Sequence, residues 1–153
     1  MTATVRGLGE LAATTGLDLG HSDWIEVPQE RIDTFADATG DHQWIHVDPA
    51  RAAAGPFGGT IAHGYLTLAL VIPLWTSLLS IEGAGMAVNY GLNRVRFPSP
   101  VPAGSKVRLH ASVLHAREVA GGGVELTVAM TVQREGATKP AVVAEAVYRY
   151  YPG

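Results

Sequence analysis

Titratable residues are concentrated in one stretch of the chain, TGDHQWIHVDPARAAAGPFGGTIAHG, which runs from Thr39 to Gly64. The stretch contains two aspartates and three histidines, and a strongly apolar run follows it directly. A helix without a polar face belongs inside a core, so water should be scarce beside these groups. Scarce water shifts pKa values and strengthens the interactions between charges. The stretch is therefore the first candidate for a chemical site.

Asp41 and His46 are the best candidates for catalysis within this stretch. They lie five residues apart, after Gly40, in a loop that we expect between two short helices. If the loop turns back towards the apolar run, the carboxylate and the imidazole can share and activate one water molecule. A carboxylate whose pKa is raised by burial and a neutral imidazole make a good acid/base pair. The alternative is that Asp41 caps a turn and His46 is a hydrogen-bonded core histidine.

The segment GPFGGTIAHG places four glycines in ten residues, just before the apolar run. Glycine permits close backbone approach, and the first amides of a helix are unpaired donors with a partial positive charge. We therefore predict an oxyanion hole with the N–H of Gly64 as the donor, and Gly59 and His63 as neighbouring substrate-binding candidates. Alternatively, the glycines serve only a turn and tight packing, and His63 is a structural histidine that bonds the backbone near the loop.

The bulk composition excludes several classes of protein. A chain of 153 residues, 47% hydrophobic and 16% charged, fits one globular domain spanning residues 1–153. A net charge of -3 argues against a nucleic-acid partner. The absence of cysteine excludes disulfides and thiolate metal sites and favours the cytoplasm. The N-terminus lacks a signal-peptide pattern, and the apolar run from Tyr65 to Ser80 is shorter than the roughly 20 residues of a membrane span, so no membrane partner is expected.

Helices are predicted mainly in the first half of the chain. Residues 1–20 show no clear hydrophobic period, and we expect a short helix and a loop there. Apolar spacing predicts an amphipathic helix after Pro28 that stops at Gly40. Asp48 before a proline predicts an N-cap and a short helix that ends at Gly55. The run from Ala62 to about Leu79 is apolar on every side and predicts a long buried helix, kinked or interrupted by its proline.

Alternating patterns predict strands in the rest of the chain. Residues 106–113 and 124–133 alternate between apolar and polar side chains, and three glycines between them indicate a hairpin. Further strands are predicted at 22–27, 85–97 and 141–151, which makes an antiparallel sheet of about five strands. We expect an α+β fold in which this curved sheet wraps the long helix. A single sheet cannot enclose such a helix, so a homodimer is expected.

The segment ATGDHQWIHVDPARAAAGPFGGTIAHGYLTLAL, residues 38–70, resembles the hydratase motif of the MaoC-like dehydratases, the (R)-specific enoyl-CoA hydratases. NYGLNRVRFPSPVPAGSKVR, residues 89–108, and the spacing to the last strands extend the resemblance over nearly the whole chain. The resemblance implies the hotdog fold and reversible syn hydration of trans-2-enoyl-CoA to (R)-3-hydroxyacyl-CoA, without a metal or another cofactor. It places Asp41 and His46 in the catalytic dyad and matches Gly64 to the glycine whose N–H polarises the thioester carbonyl.

The chain departs from many family members at Gln43-Trp44, where they carry Asn-Pro. This variant resembles a bacterial branch of the family that includes nodulation-protein-like sequences. It leaves the dyad residues intact, but the preferred length of the substrate's acyl chain stays open. Two alternatives remain on the same fold. An acyl-CoA thioesterase would place an acidic base on the central helix, and residues 62–80 contain no acidic residue. The other is a non-catalytic acyl-thioester-binding protein.

Other residues in and near the stretch have competing interpretations. His42 and His46, flanked by Asp41 and Asp48, could bind a metal, but we expect none because no regular helix is predicted through DHQWIH. Four aromatic residues could line an acyl tunnel or simply belong to the core: Trp44, Phe57, Tyr65 and Trp75. Four basic residues could meet coenzyme A phosphates or form a solvated strand face: Arg94, Arg96, Lys106 and Arg108.

Overall fold

The structure, a computed structural model, describes all residues from Met1 to Gly153. The elements of the first part are β1 (Ala3–Arg6), α1 (Leu8–Leu11), β2 (Asp18–His21), β3 (Ile25–Val27), α2 (Gln29–Thr39), α3 (Trp44–Val47) and α4 (Pro49–Ala53). They are followed by α5 (Gly64–Ala69), α6 (Val71–Leu78), β4 (Leu79–Glu82), β5 (Ala84–Arg96), β6 (Ser105–Val119), β7 (Gly123–Arg134) and β8 (Val142–Pro152). The mixed α+β prediction is confirmed.

The main sheet has six strands in the order β2-β6-β7-β8-β5, with β3 also paired to β6, and its pairings are antiparallel. The prediction of about five strands missed β2, which lies in the N-terminal arm. It also missed a separate parallel pair of β1 and β4. These strands are only four residues long, too short to show an alternating pattern.

The predicted hairpin between β6 and β7 is present. The inward side chains of β6, from Val107 to Val113, are almost fully buried, as the alternation requires. The connecting Gly121 and Gly122 have φ angles of 82° and 71°, a left-handed conformation that glycine adopts without a Cβ penalty. This turn sets the register in which Val107 lies opposite Arg134.

The apolar run forms two helices rather than one. Between α5 and α6 only Leu70 falls outside the helical assignment, three residues before Pro73. Proline has no N–H to donate to the carbonyl four residues earlier, and its ring crowds that carbonyl. The Leu74 amide still donates to the Leu70 carbonyl, at 3.5 Å. The interruption therefore has the cause that the sequence suggested, and it occurs one turn ahead of the proline.

The buried helix pair is not enclosed on every side, as we expected of a helix covered by a single sheet. One face belongs to a core of 28 buried residues shared with the sheet. The other face exposes Tyr65, whose residue is 74% exposed, and leaves Leu68 and Ile72 partly buried. The sheet covers one side of the helices and the chain supplies nothing to cover the other. No helix is long and apolar enough to cross a membrane.

Candidate active site

The end of α2 sets the position of the predicted dyad, Asp41 and His46. Gly40, the C-cap of this helix, has a φ of 80° and donates its amide to the Ala36 carbonyl, which closes the helix. The chain then turns through Asp41 and enters α3, which carries His46. The expectation that DHQWIH has no regular helix is therefore wrong for its last residues. A four-residue helix is too short to be recognised by periodicity.

His46 is held by the backbone of the segment that precedes α5. Its residue is buried, and its Nδ1 atom lies 2.7 Å from the carbonyl oxygen of Ile61. Because a carbonyl only accepts, Nδ1 carries the proton in the neutral ring, and Nε2 is left as an acceptor. The Ile61 amide in turn donates to the Ile45 carbonyl at 3.0 Å. This arrangement gives His46 the protonation pattern of a general base.

The surroundings of His46 favour its neutral form. Burial lowers the pKa of His46 below its usual value, and the adjacent His63 ring lowers this pKa further. The hydrogen bond to the Ile61 carbonyl and the charge of Asp41 act in the opposite direction on the same pKa, but they do not reverse the shift. A neutral imidazole with a free Nε2 atom is thus available near neutral pH.

Asp41 is exposed in this chain, so the predicted buried carboxylate is not observed. The residue lies in the loop just after the helix end, where no element of the same chain covers it. Its Oδ1 atom accepts a long hydrogen bond of 3.4 Å from the Gln43 amide. The side chain therefore caps a turn, as the alternative interpretation supposed, and its carboxylate remains accessible to a ligand.

His63 brings the two dyad residues together. One side-chain ligand atom from each of Asp41, His46 and His63 lies within 4.8 Å of the other two. The His63 Nε2 atom lies 2.9 Å from the backbone carbonyl oxygen of Asp41, which agrees with the expected structural histidine. Its ring stacks on His46 with the centroids 3.9 Å apart and the planes 24° from parallel.

This cluster is poorly shaped for a metal ion. A metal lies in the plane of each imidazole that binds it, at about 2.1 Å from the nitrogen. Two nearly parallel rings 3.9 Å apart share no in-plane point at that distance. The metal set considered from the sequence is also dispersed, since His42 bonds Asp37 at 2.9 Å and Asp48 caps α4 by accepting from the Arg51 amide. The hydrogen bond to Asp37 raises the pKa of His42.

Gly64 is the first residue of α5, and its N–H makes no backbone hydrogen bond. A Cβ at this position would lie 3.2 Å from ring atoms of Phe97, so glycine allows the ring to pack against the backbone. Gly64 also borders a cavity of about 340 Å³ that is lined by Phe57, Thr67 and Phe97 among others. Asp41 and His46 are not among the lining residues, but Ile61, whose carbonyl contacts His46, lines the cavity together with Gly64.

Gly59 shows no close approach of this kind, because nothing lies within 4 Å of a Cβ built there. Its role in substrate binding stays a prediction. Among the basic residues, Arg108 lies over the ring of Trp24 and bonds Gln133. Arg96 bonds the adjacent Val95 carbonyl. Both guanidinium groups therefore have partners within the chain, and a contact with coenzyme A phosphates stays a prediction.

Two residues of the site escaped the sequence analysis. Gln29, at the start of α2, donates from Nε2 to the His46 carbonyl at 2.7 Å and accepts from the Thr60 hydroxyl. Phe97 packs on Gly64 from the end of β5. Both are distant from the site in sequence, and neither has a spacing signal, so only the tertiary structure reveals them.

Comparison with known proteins identifies the family. The family described as MaoC like domain matches residues 10–135. The 3-hydroxyacyl-thioester dehydratase Z of Mycobacterium tuberculosis is 54% identical over 147 residues, which cover 96% of this chain and 97% of that protein. Nodulation protein N of Rhizobium leguminosarum bv. viciae is 45% identical over 139 residues, covering 90% of this chain and 86% of that protein. The expected similarity to nodulation proteins is thus confirmed.

The similarity extends to solved structures. The unliganded (R)-hydratase PhaJ1 from Pseudomonas aeruginosa superimposes with a TM-score of 0.71 at 25% identity, covering 96% of this chain and 86% of that chain. The α+β architecture of the chain is the hotdog fold. The chain belongs to the family of MaoC-like dehydratases. It is an enzyme of the lyase class, a hydratase or dehydratase.

Proposed function

We propose that the chain catalyses the reversible (R)-specific hydration of trans-2-enoyl-CoA to (R)-3-hydroxyacyl-CoA, with Asp41 and His46 as the catalytic dyad. The observation that carries this proposal is the pairing of the Asp41 carboxylate with the His46 ring in one small cluster, where the Ile61 carbonyl accepts the Nδ1–H hydrogen bond and leaves Nε2 as an acceptor. The relative named for 3-hydroxyacyl thioesters supports the substrate class.

In the proposed reaction the dyad holds a water against C3 of the substrate. The water oxygen forms a bond to C3, and the electrons of the C2=C3 double bond move towards the thioester carbonyl. The Gly64 N–H stabilises the negative charge on that oxygen. The water's proton passes to the dyad, whose neutral His46 accepts it at Nε2, and the dyad returns a proton to C2 on the same face. The reverse sequence removes water.

The proposed assembly is a homodimer of this single-domain chain. β5 is an edge strand of the main sheet, and edge strands offer unpaired backbone groups to a partner. Exposed apolar side chains lie on this strand and next to it: Met86, Tyr90 and Leu92 on β5, with Phe97 and Tyr65. A second copy placed on this patch of side chains would cover the open face of α5 and α6. We keep the cytoplasm as the expected compartment because the chain has no cysteine.

The proposed reaction is tested with crotonyl-CoA and longer trans-2-enoyl-CoA substrates. Loss of the enoyl absorbance together with the (R)-3-hydroxyacyl product in chiral analysis is the expected result. Release of free coenzyme A, detected with a thiol reagent, would indicate a thioesterase instead. Binding of acyl-CoA without turnover of any chain length would indicate a non-catalytic acyl-thioester-binding protein.

A further inference from the structure

His63 contacts both dyad residues and lies next to the proposed carbonyl-binding glycine. His63 is 98% buried at the start of α5. Its ring stacks on the His46 ring, and its centroid lies 4.8 Å from the centroid of the Phe35 ring. Asp41 lies in a loop and His46 in the short helix α3, and His63 contacts both from the N-terminal end of α5. One imidazole therefore joins three segments of the site.

The contact with Asp41 matters because that residue has few other restraints. The hydrogen bonds of its amide to Thr39 and of its carboxylate to the Gln43 amide are both 3.4 Å long. The bond from His63 Nε2 to the Asp41 carbonyl is 2.9 Å, and no other group donates to that carbonyl. The shortest restraint on the exposed Asp41 is thus supplied by His63.

Only one of the two nitrogens of His63 does this. Because the carbonyl accepts, Nε2 carries the proton, and Nδ1 is a buried acceptor without a hydrogen-bond partner. A side chain that reproduces a donor at the Nε2 position should therefore replace His63, whereas one that places its polar group at the Nδ1 position should not. This asymmetry distinguishes a specific hydrogen bond from simple filling of space.

We propose that His63 is a positioning residue of the dyad, which fixes Asp41 beside His46 through the hydrogen bond from its Nε2–H to the Asp41 carbonyl. The inference deepens the proposed hydration and rests on it. His63 does not touch the substrate in this scheme. Its effect is exerted on the distance between the carboxylate and the free Nε2 atom of His46, and catalysis is sensitive to such distances.

The test compares His63→Gln with His63→Asn, two neutral amides that differ by one methylene. Glutamine carries its amide nitrogen near the position of Nε2, and asparagine carries its amide near that of Nδ1. We expect His63→Gln to keep kcat within about 5-fold of wild type, and His63→Asn to lower kcat by roughly 50-fold with little change in KM. His63→Phe, which keeps the stacking ring and loses the donor, should resemble His63→Asn.

A second measurement follows His46 itself by imidazole nitrogen NMR and does not depend on turnover. Burial is the largest cause of the lowered pKa of His46; of the groups that face it, the Asp41 carboxylate and the Ile61 carbonyl raise this pKa and the His63 ring lowers it further. All three His63 variants should therefore raise the titration midpoint of His46. The control is His42→Gln, an exposed neighbour of Asp41 that should leave both kcat and this midpoint unchanged.

The two measurements separate the possible failures. Equal kcat values for the Gln and Asn variants, or an unmoved His46 midpoint in all variants, would overturn the positioning role. A wild-type protein that hydrates no enoyl thioester would overturn the proposed function, while the NMR comparison would still report on the contact. Loss of activity that follows only the melting temperature of each variant would reduce His63 to a structural residue and reject the proposal.

Discussion

The Nδ1 atom of His46 lies 2.7 Å from the carbonyl oxygen of Ile61, and this contact determines which ring nitrogen faces the site. The proton stays on Nδ1, so Nε2 can receive one from a water molecule. The partner is a backbone group, which no side-chain substitution at position 61 removes. The tautomer that the proposed role of His46 requires is therefore set by the path of the backbone.

The dyad can be tested by isosteric substitution. Asp41→Asn removes the charge and His46→Gln removes the acceptor at Nε2, so each should lower kcat for crotonyl-CoA hydration by roughly 10²-fold or more. The enoyl absorbance measures the rate, and circular dichroism checks that the fold is retained. Rates equal to wild type in either variant would reject the dyad.

The pH dependence should reflect the lowered pKa of His46. The base must be neutral, so kcat/KM should hold its plateau down through the usual histidine value of about 6.5 and fall only at lower pH. The same shift stabilises the fold above the unfolded-state pKa, and this contribution is lost as pH falls through the folded-state value. An acid limb centred above about 6.5 would contradict the burial of His46.

Gly64→Ala tests the carbonyl-binding amide. The added Cβ would lie 3.2 Å from the Phe97 ring, and either the ring or the start of α5 must shift by a few tenths of an ångström. We expect kcat to fall by roughly 10-fold or more, because the N–H moves from its position, with a change in stability of about 1 kcal/mol or less. Phe97→Ala in the same chain should restore part of kcat. The single Phe97→Ala variant serves as the control, and no recovery in the double variant would show that the clash is not the cause.

The buried tyrosines of β8 give a matched pair for stability. The indole N–H of Trp75 donates to the Tyr150 hydroxyl at 2.8 Å in the core. Tyr150→Phe leaves that donor unpaired and should lower the free energy of unfolding by about 1–3 kcal/mol. The Tyr148 hydroxyl contacts only Met130 Sδ, at 3.6 Å, so Tyr148→Phe should cost clearly less. Urea denaturation compares the two variants, and equal losses would contradict this assignment.

The exposed patch beside β5 predicts the behaviour of the protein in solution. Leu92, which is 46% exposed, borders an apolar cavity of about 320 Å³ with Tyr65. Leu92→Glu should shift the protein from dimer to monomer in sedimentation velocity, because a charge would be buried at the interface. Val143→Glu, an exposed apolar position on β8, should remain dimeric. A monomeric wild type at micromolar concentration would reject the homodimer.

Long periodic elements were predictable from the sequence because each carries its own signal. The alternation of residues 106–113 and 124–133 and the stop at Gly40 predicted β6, β7 and the end of α2. The four-residue strands β1, β2 and β4 have no such pattern, since tertiary pairing rather than local preference forms them. For the same reason the exposure of Asp41 was not predictable, because burial depends on segments distant in sequence.

Local sequence placed the candidate site but could not supply its geometry. The resemblance to the hydratase motif named Asp41, His46 and Gly64, which lie in one continuous stretch. Gln29 donates a hydrogen bond to the His46 carbonyl, 17 positions away in sequence. Phe97 packs on Gly64, 33 positions away. Contacts of this kind follow from how the sheet and helices pack.

Gly64 and Tyr65 are neighbours on the first turn of α5, one bordering the cavity and the other the open face of the helices. A rigid helical turn transmits movement from either residue to the other. If dilution separates two copies, Tyr65 would lose its contacts with the partner, and the adjacent N–H of Gly64 would be held less firmly in position. The specific activity should then decrease as the enzyme is diluted. Its dependence on enzyme concentration would therefore measure the association equilibrium of the two copies.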